Sequence, residues 1–265
     1  KIKKKEITGR NKSKIIRCSR DDEKLKSQKK RQKSKIFKTR NISEPRSLDK
    51  SEFNFEDVLH KSQKSVLIES NVVVIGASVG GPRTITQILR TIPSDFTCPI
   101  LIVQHLTNQF VDVFVSSLNE NCALNVKIAE DGKLIEKSTV YIAPGNYHLS
   151  IATKNCSPII KLFQGPPVHF CIPSIDVLFS SAARIYQEKV LAILLTGMGK
   201  DGVKGMGMIK KYGGRTIAEA KETSILYGMP KSAVKKGYAE LILPNYEIAD
   251  YLNKYDKYIT LSSRY

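Results

Sequence analysis

The 265-residue sequence lacks any apolar run that could cross a bilayer. Its longest, such as Val190 to Leu195, fall far short of the ~20 residues a spanning helix needs. No charged-then-apolar signal segment opens the chain. The five cysteines (Cys18, Cys98, Cys122, Cys156 and Cys171) form no CxxC pair and no metal-ligand spacing, and an odd number argues against a complete disulfide framework. No internal repeat is visible. Together these absences lead us to expect a soluble protein of a reducing compartment, the cytoplasm, with no membrane insertion. The chain opens at Lys1 rather than Met, which is compatible with a piece of a longer protein.

Acidic residues are also scarce: 25 Asp and Glu face 43 Lys and Arg, a net charge of +18. Spread evenly, that excess would suggest a nucleic-acid or membrane-surface protein. It is not even. Residues 1–65 hold 22 Lys/Arg against 9 Asp/Glu, and the remaining 200 hold 21 against 16. That first quarter is rich in Lys, Arg, Ser, Gln and Asn, and its isolated apolar residues never recur at a period of two or 3.6. It cannot bury enough surface to order itself and is expected to be a linker or tail. Ser51–His60 is its one amphipathic stretch.

From Val66 onward β-branched runs alternate with helical patterns, and the 41% apolar content of the chain is enough for a sizeable core. We expect strands at Val72–Ala77, Pro99–Gln104, Val190–Thr196 and Thr216–Ala218, with helices near Pro82–Thr91, Gln109–Leu118, Ser174–Gln187 and Gly202–Tyr212. Continuous runs such as VVVI, ILIV and LAILL predict burial on both faces, hence a doubly wound α/β domain with a mostly parallel sheet flanked by helices. Lys137–Phe163 reads as a short antiparallel β excursion, because the runs STVYIA, HLSIAT and PIIKLF are punctuated by Pro-Gly-Asn and Asn-Cys-Ser-Pro.

Three segments could carry chemistry. Gly76-Ala77-Ser78-Val79-Gly80-Gly81-Pro82 lies between a predicted strand and a predicted helix and matches the G-x-S-x-G nucleophile elbow, whose small residues let a sharp turn expose the Ser78 oxygen. Pro82 suits a first helical turn, and the helix N-terminus adds partial positive charge for an oxyanion. The motif alone leaves open a phosphate-binding glycine-rich loop or a structural turn; a dinucleotide fingerprint is not matched. His105 falls just past the next strand, where parallel sheets place their sites, and an imidazole there could be the general base. Asp201, in Thr196-Gly197-Met198-Gly199-Lys200-Asp201-Gly202, again follows a buried strand, either as the carboxylate that orients an imidazole or as a helix cap. The chain order Ser, His, Asp differs from the Ser, Asp, His of the usual α/β-hydrolases. His148, at a predicted hairpin, and His169, in a loop that could border the site, have no evident metal partner. Asp176 fits a first helical turn capped by Ser174. We expect no metal and no cofactor.

The ordered motifs IGASVGGP, VQHL followed by Phe110, YIAPGNYHL, PSIDVLFSSAA, LLTGMGKDG and YGMPKSA, spanning about Asn71 to Pro244, make the sequence similar to the catalytic domain of the chemotaxis protein-glutamate methylesterase family, CheB. The resemblance implies that residues 66–265 form such a domain, with a Ser78, His105, Asp201 triad and with Val79 and Met198 at the oxyanion and substrate-binding position. It implies hydrolysis of glutamyl methyl esters on the cytoplasmic helices of methyl-accepting chemotaxis receptors, and as a second activity deamidation of receptor glutamines. It also implies a receiver domain before the esterase, here outside this chain, served by a histidine kinase. The basic segment would then be an interdomain linker rather than a nucleic-acid-binding tail. The sequence departs from the family pattern at Val79, where Thr is usual; at Ile172, where Arg is common; and at Glu219-Ala220-Lys221, where Gln-Asp-Glu is usual. These departures faintly favour the rival reading, an idle regulatory module that binds receptors or signalling partners.

Overall fold

A computed structural model describes residues 71–262. The basic segment and the Ser51–His60 stretch lie outside the described residues.

β1 (Val72–Ala77) is buried along its whole length, as its unbroken apolar run predicts, and leads into α1 (Gly81–Leu89). β2 (Ile100–Gln104) follows, then α2 (Asn108–Asn121), β3 (Asn125–Ile128) and β4 (Thr139–Ile142). The chain next makes a hairpin, β5 (His148–Lys154) and β6 (Ser157–Phe163), before α3 (Ile175–Tyr186), β7 (Val190–Leu194), α4 (Val203–Lys211) and β8 (Arg215–Glu219). It ends with α5 (Met229–Lys235), β9 (Leu241–Leu243) and α6 (Asn245–Ser262). Seven strands form one sheet in the order β3-β4-β2-β1-β7-β8-β9, and every pairing in it is parallel.

The hairpin forms a separate antiparallel sheet. The expected excursion is therefore shorter than its predicted span. The run around Thr139–Ile142 joins the main sheet beside β2 and β3, because four consecutive buried residues suit a strand covered on both faces.

Alternation along β1 and β2 divides the core. Val72, Val74, Leu101 and Val103 face one layer, packed against α3, α4, α5 and the hairpin. Val73, Ile75, Ile100 and Ile102 face the other, against α1, α2 and α6. α3 is enclosed from Ile175 through Ala183, since the hairpin covers the side turned from the sheet, where Ser181 Oγ receives the Ile151 N–H at 3.0 Å. On the opposite layer the Asp256 carboxylate of α6 accepts the Thr97 and Cys98 N–H groups, both at 3.0 Å, and the Thr97 hydroxyl at 2.7 Å. That buried cluster ties the last helix to the entrance of β2.

Among the described residues the chain enters the sheet in its middle at β1, builds one flank through β2, β4 and β3, and returns to β7 on the other side. Such a reversal leaves a crevice beyond the carboxyl ends of the central strands, where open parallel sheets bind ligands.

Candidate active site

Ser78 follows the last residue of β1, and β1 and β2 pair in register with Ala77 opposite Gln104, so Ser78 and His105 leave the sheet side by side. The His105 N–H donates to the Ala77 carbonyl at 3.0 Å, and the Gln104 side-chain amide bridges the carbonyls of Ser78 (2.9 Å) and His105 (3.1 Å). On the other flank the Ser78 N–H donates to the Thr196 carbonyl at 3.0 Å. The elbow turns through Gly80, whose φ of 85° lies in the left-handed region and where a Cβ would come within 2.7 Å of Ile225. Gly197 is required by approach: a Cβ there would sit 2.7 Å from that of Ser78. The small residues of both loops thus bring the serine against the loop that ends at Asp201.

Asp201 is 2% exposed and accepts His105 Nε2 at 2.9 Å. The same carboxylate receives the Ile175 N–H at 2.7 Å, the Asp176 N–H and the Gly202 N–H at 3.0 Å each, and the Ser174 hydroxyl at 2.8 Å. The alternative reading of Asp201 as a helix cap thus holds as well, for a different helix: it caps α3 from 26 residues away. Ser174 does not cap α3 with its side chain, as the sequence suggests, because its hydroxyl is turned to Asp201. Burial pushes the Asp201 carboxyl up, but the His105 bond and the Asp176 and Ile175 N–H groups outweigh it and hold the group below its ordinary value. With Asp201 ionised, the neutral ring carries its proton on Nε2 and its lone pair on Nδ1. Burial pulls the His105 imidazole down, while the bonds to Asp201 and to Cys171 raise it, to about 9 in all.

Nδ1 faces the Cys171 thiol at 3.7 Å. Among the described residues no hydrogen bond joins it to Ser78 Oγ. Cys171 is a residue that sequence reasoning misses: it lies 66 positions from His105 in a loop with no motif.

The remaining candidates separate by their surroundings. His148 is buried; its Nδ1 accepts the Ser174 N–H at 3.2 Å and its Nε2 contacts the Pro166 carbonyl at 3.1 Å, so it is a satisfied core histidine whose pKa burial lowers. His169 does border the site, and its Nε2 pairs with Asp176 at 3.0 Å. Val79 and Met198 are exposed beside Ser78 and in the Asp201 loop, and among the described residues neither backbone N–H is donated within the protein. Thr196, which opens the Asp201 motif but is given no role by it, donates its hydroxyl to the Val79 carbonyl and accepts the Leu226 N–H, both at 2.9 Å. Its own N–H goes to Glu219 at 2.7 Å. The family departure at Glu219 therefore falls on a fully buried brace of the Thr196 loop, and burial raises that carboxyl. The arrangement supplies a hydroxyl, an imidazole held by an ionised carboxylate, and two undonated N–H groups on one sheet edge. That set suits acyl transfer.

The family model described as CheB methylesterase matches residues 73–252. Curated relatives named protein-glutamate methylesterase/protein-glutamine glutaminase include one from Thermotoga maritima, 42% identical over 70% of this chain and 54% of its own length. One from Caldanaerobacter subterraneus subsp. tengcongensis is 45% identical over 69% of this chain and 51% of its own. Another, from Clostridium acetobutylicum, is 36% identical over 84% and 64%. The chain thus spans roughly half to two thirds of these relatives' length. The crystal structure of the Thermotoga maritima CheB methylesterase catalytic domain superposes with a TM-score of 0.69 at 41% identity, covering 71% of this chain and 99% of that one.

Proposed function

The chain belongs to the CheB methylesterase family, and from that premise we propose that it hydrolyses glutamyl methyl esters on chemotaxis receptors with Ser78 as nucleophile. The observation that carries this reading is the 2.9 Å bond from His105 to the ionised Asp201 at the same sheet edge as Ser78. Because Nε2 is committed to Asp201, Nδ1 is the nitrogen that takes the proton of Ser78 as its Oγ attacks the ester carbonyl. The Val79 and Met198 N–H groups bind the resulting oxyanion, and the N-terminus of α1 lies behind it. Collapse expels methoxide, which leaves as methanol with the proton from Nδ1, and Ser78 carries the glutamyl group. Water then repeats the sequence and returns a free glutamate. A receptor glutamine enters the same path with ammonia as the leaving group, as the names of the relatives suggest.

We assign the partners in the same spirit. The receptor helices are the substrate, and a phosphorylatable receiver domain with its histidine kinase is the regulator. The cytoplasm is the compartment, in keeping with the finding that no helix among the described residues is long and apolar enough to cross a membrane.

The test is methanol release from a methylated chemoreceptor fragment. Ser78→Ala is expected to lower turnover by on the order of 10⁶, by analogy with other triads. A Ser78→Ala protein that kept most of the wild-type rate would overturn the nucleophile assignment, and no release from the wild type would overturn the activity.

A further inference from the structure

In its neutral form His105 presents the Nδ1 lone pair toward a thiol. Nε2 is occupied by Asp201, so Nδ1 is the ring's one available ligand atom, and Cys171 Sγ lies 3.7 Å from it. A tetrahedral zinc ion, with bonds of about 2.0–2.1 Å to nitrogen and about 2.3 Å to thiolate sulfur, holds those two atoms about 3.6 Å apart. The observed separation is therefore already the bite of such an ion. Ligand-capable atoms of His105, Cys171 and Asp201 all fall within 4.8 Å of one another. Asp201 is not the third ligand, however, because its two oxygens already accept five hydrogen bonds. It takes instead the place of the carboxylate that commonly stands behind a metal-bound imidazole, fixing its tautomer and raising its basicity. The thiol is held on its side by the bridge between Val168 and Cys171, whose N–H and C=O groups exchange bonds at 2.9 and 3.2 Å. Both ligand side chains are partly open to solvent, which leaves an ion a way in and leaves room for water in the remaining positions.

We infer that His105 Nδ1 and Cys171 Sγ form an inhibitory site for a thiophilic divalent cation, Zn²⁺ by its chemistry. On binding, the Cys171 S–H proton and, where the ring is charged, the Nδ1 proton pass to solvent, and the sulfur and Nδ1 lone pairs become metal ligands; nothing is oxidised or reduced. The lone pair that would take the proton of Ser78 is then engaged, so hydrolysis stops until the ion is removed. The inhibitory consequence rests on the esterase reading above. The site itself does not.

The site is tested by titrating the protein with Co²⁺, which reports thiolate ligation through a near-ultraviolet charge-transfer band. A band saturating at one ion per chain, abolished in Cys171→Ser and in His105→Gln but retained in Cys156→Ser and Cys18→Ser, is expected. Absence of the band, or its survival in Cys171→Ser, would overturn the site. In parallel, Zn²⁺ should suppress methanol release reversibly to EDTA. Cys171→Ser, compared with its own rate in EDTA, should need at least ~10-fold more Zn²⁺, because losing a ligand costs no less than losing a group behind one. Unchanged Zn²⁺ sensitivity in that variant would overturn the inhibition. A cobalt band in a protein that releases no methanol would uphold the site and refute the esterase.

Discussion

Two histidine–aspartate pairs lie near one another, His105–Asp201 at 2.9 Å and His169–Asp176 at 3.0 Å, and their carboxylates behave oppositely. Both carboxylates are buried. Asp201 collects three backbone N–H groups and a hydroxyl besides its imidazole, and it is held below the ordinary carboxylate range. Asp176 collects one backbone N–H, from Gly205 at 2.7 Å. Burial pushes it up, the Gly205 bond counters, the Asp201 charge raises it further, and it comes to about 6. Burial alone therefore does not decide which acid keeps its charge. The number of donors aimed at it does. The well-supplied carboxylate is the one that holds the imidazole beside Ser78.

The sharpest way to break this contrast is to neutralise each carboxylate in turn. Asp201→Asn should cost on the order of 10⁴ in turnover, as in other triads, since it removes the acceptor that fixes the His105 tautomer. It also weakens the α3 cap, a loss of about 0.5–2 kcal/mol that denaturant unfolding would read. Asp176→Asn should leave turnover nearly unchanged in the same assay.

The next effect is on pH dependence. In the mechanism proposed above the base form of His105 is the active one, so kcat/KM should rise with pH to a midpoint at about 9 rather than 6.5, losing about tenfold per unit below it. Asp201→Asn should bring the midpoint down. The sign for stability is reversed: the raised imidazole contributes fully below 6.5, and that contribution is lost as pH rises through about 9.

Smaller still is the stability effect at the second pair. Asp176 is raised from 3.8 to about 6, so the folded chain binds more protons across that window and its stability should fall as pH rises through it. Asp176→Asn should flatten that slope in pH-dependent thermal unfolding. His169→Gln, which removes a partly exposed ring, should cost no more than about 1 kcal/mol by the same measurement.

The legibility of the sequence follows the same division between local and distant causes. β1, β2 and β7 could be read because unbroken apolar runs are the signature of strands buried on both faces. β3, where only Val126 is fully buried, and the three-residue β9 carry too little pattern to call a strand. α6 has its buried stripe at Ile248, Ala249, Leu252 and Asp256, diluted by charged residues and tyrosines, which hid its helical period. That Ser78, His105 and Asp201 come to one sheet edge was legible because each follows an apolar run or short motif at a strand's end. Cys171 was not, since its relation to His105 is made by the loop between β6 and α3, 66 positions further along the chain. Nor could any spacing rule show that Asp201 caps a helix that begins 26 residues before it.

That cap makes the site readable from outside. The Ile175 and Asp176 amide protons point directly at the Asp201 carboxylate, so their chemical shifts should follow its ionisation and the state of His105 in solution. Two backbone resonances, neither belonging to a group that reacts in the proposed mechanism, would serve as a built-in gauge of whether the proposed hydrolytic site is armed.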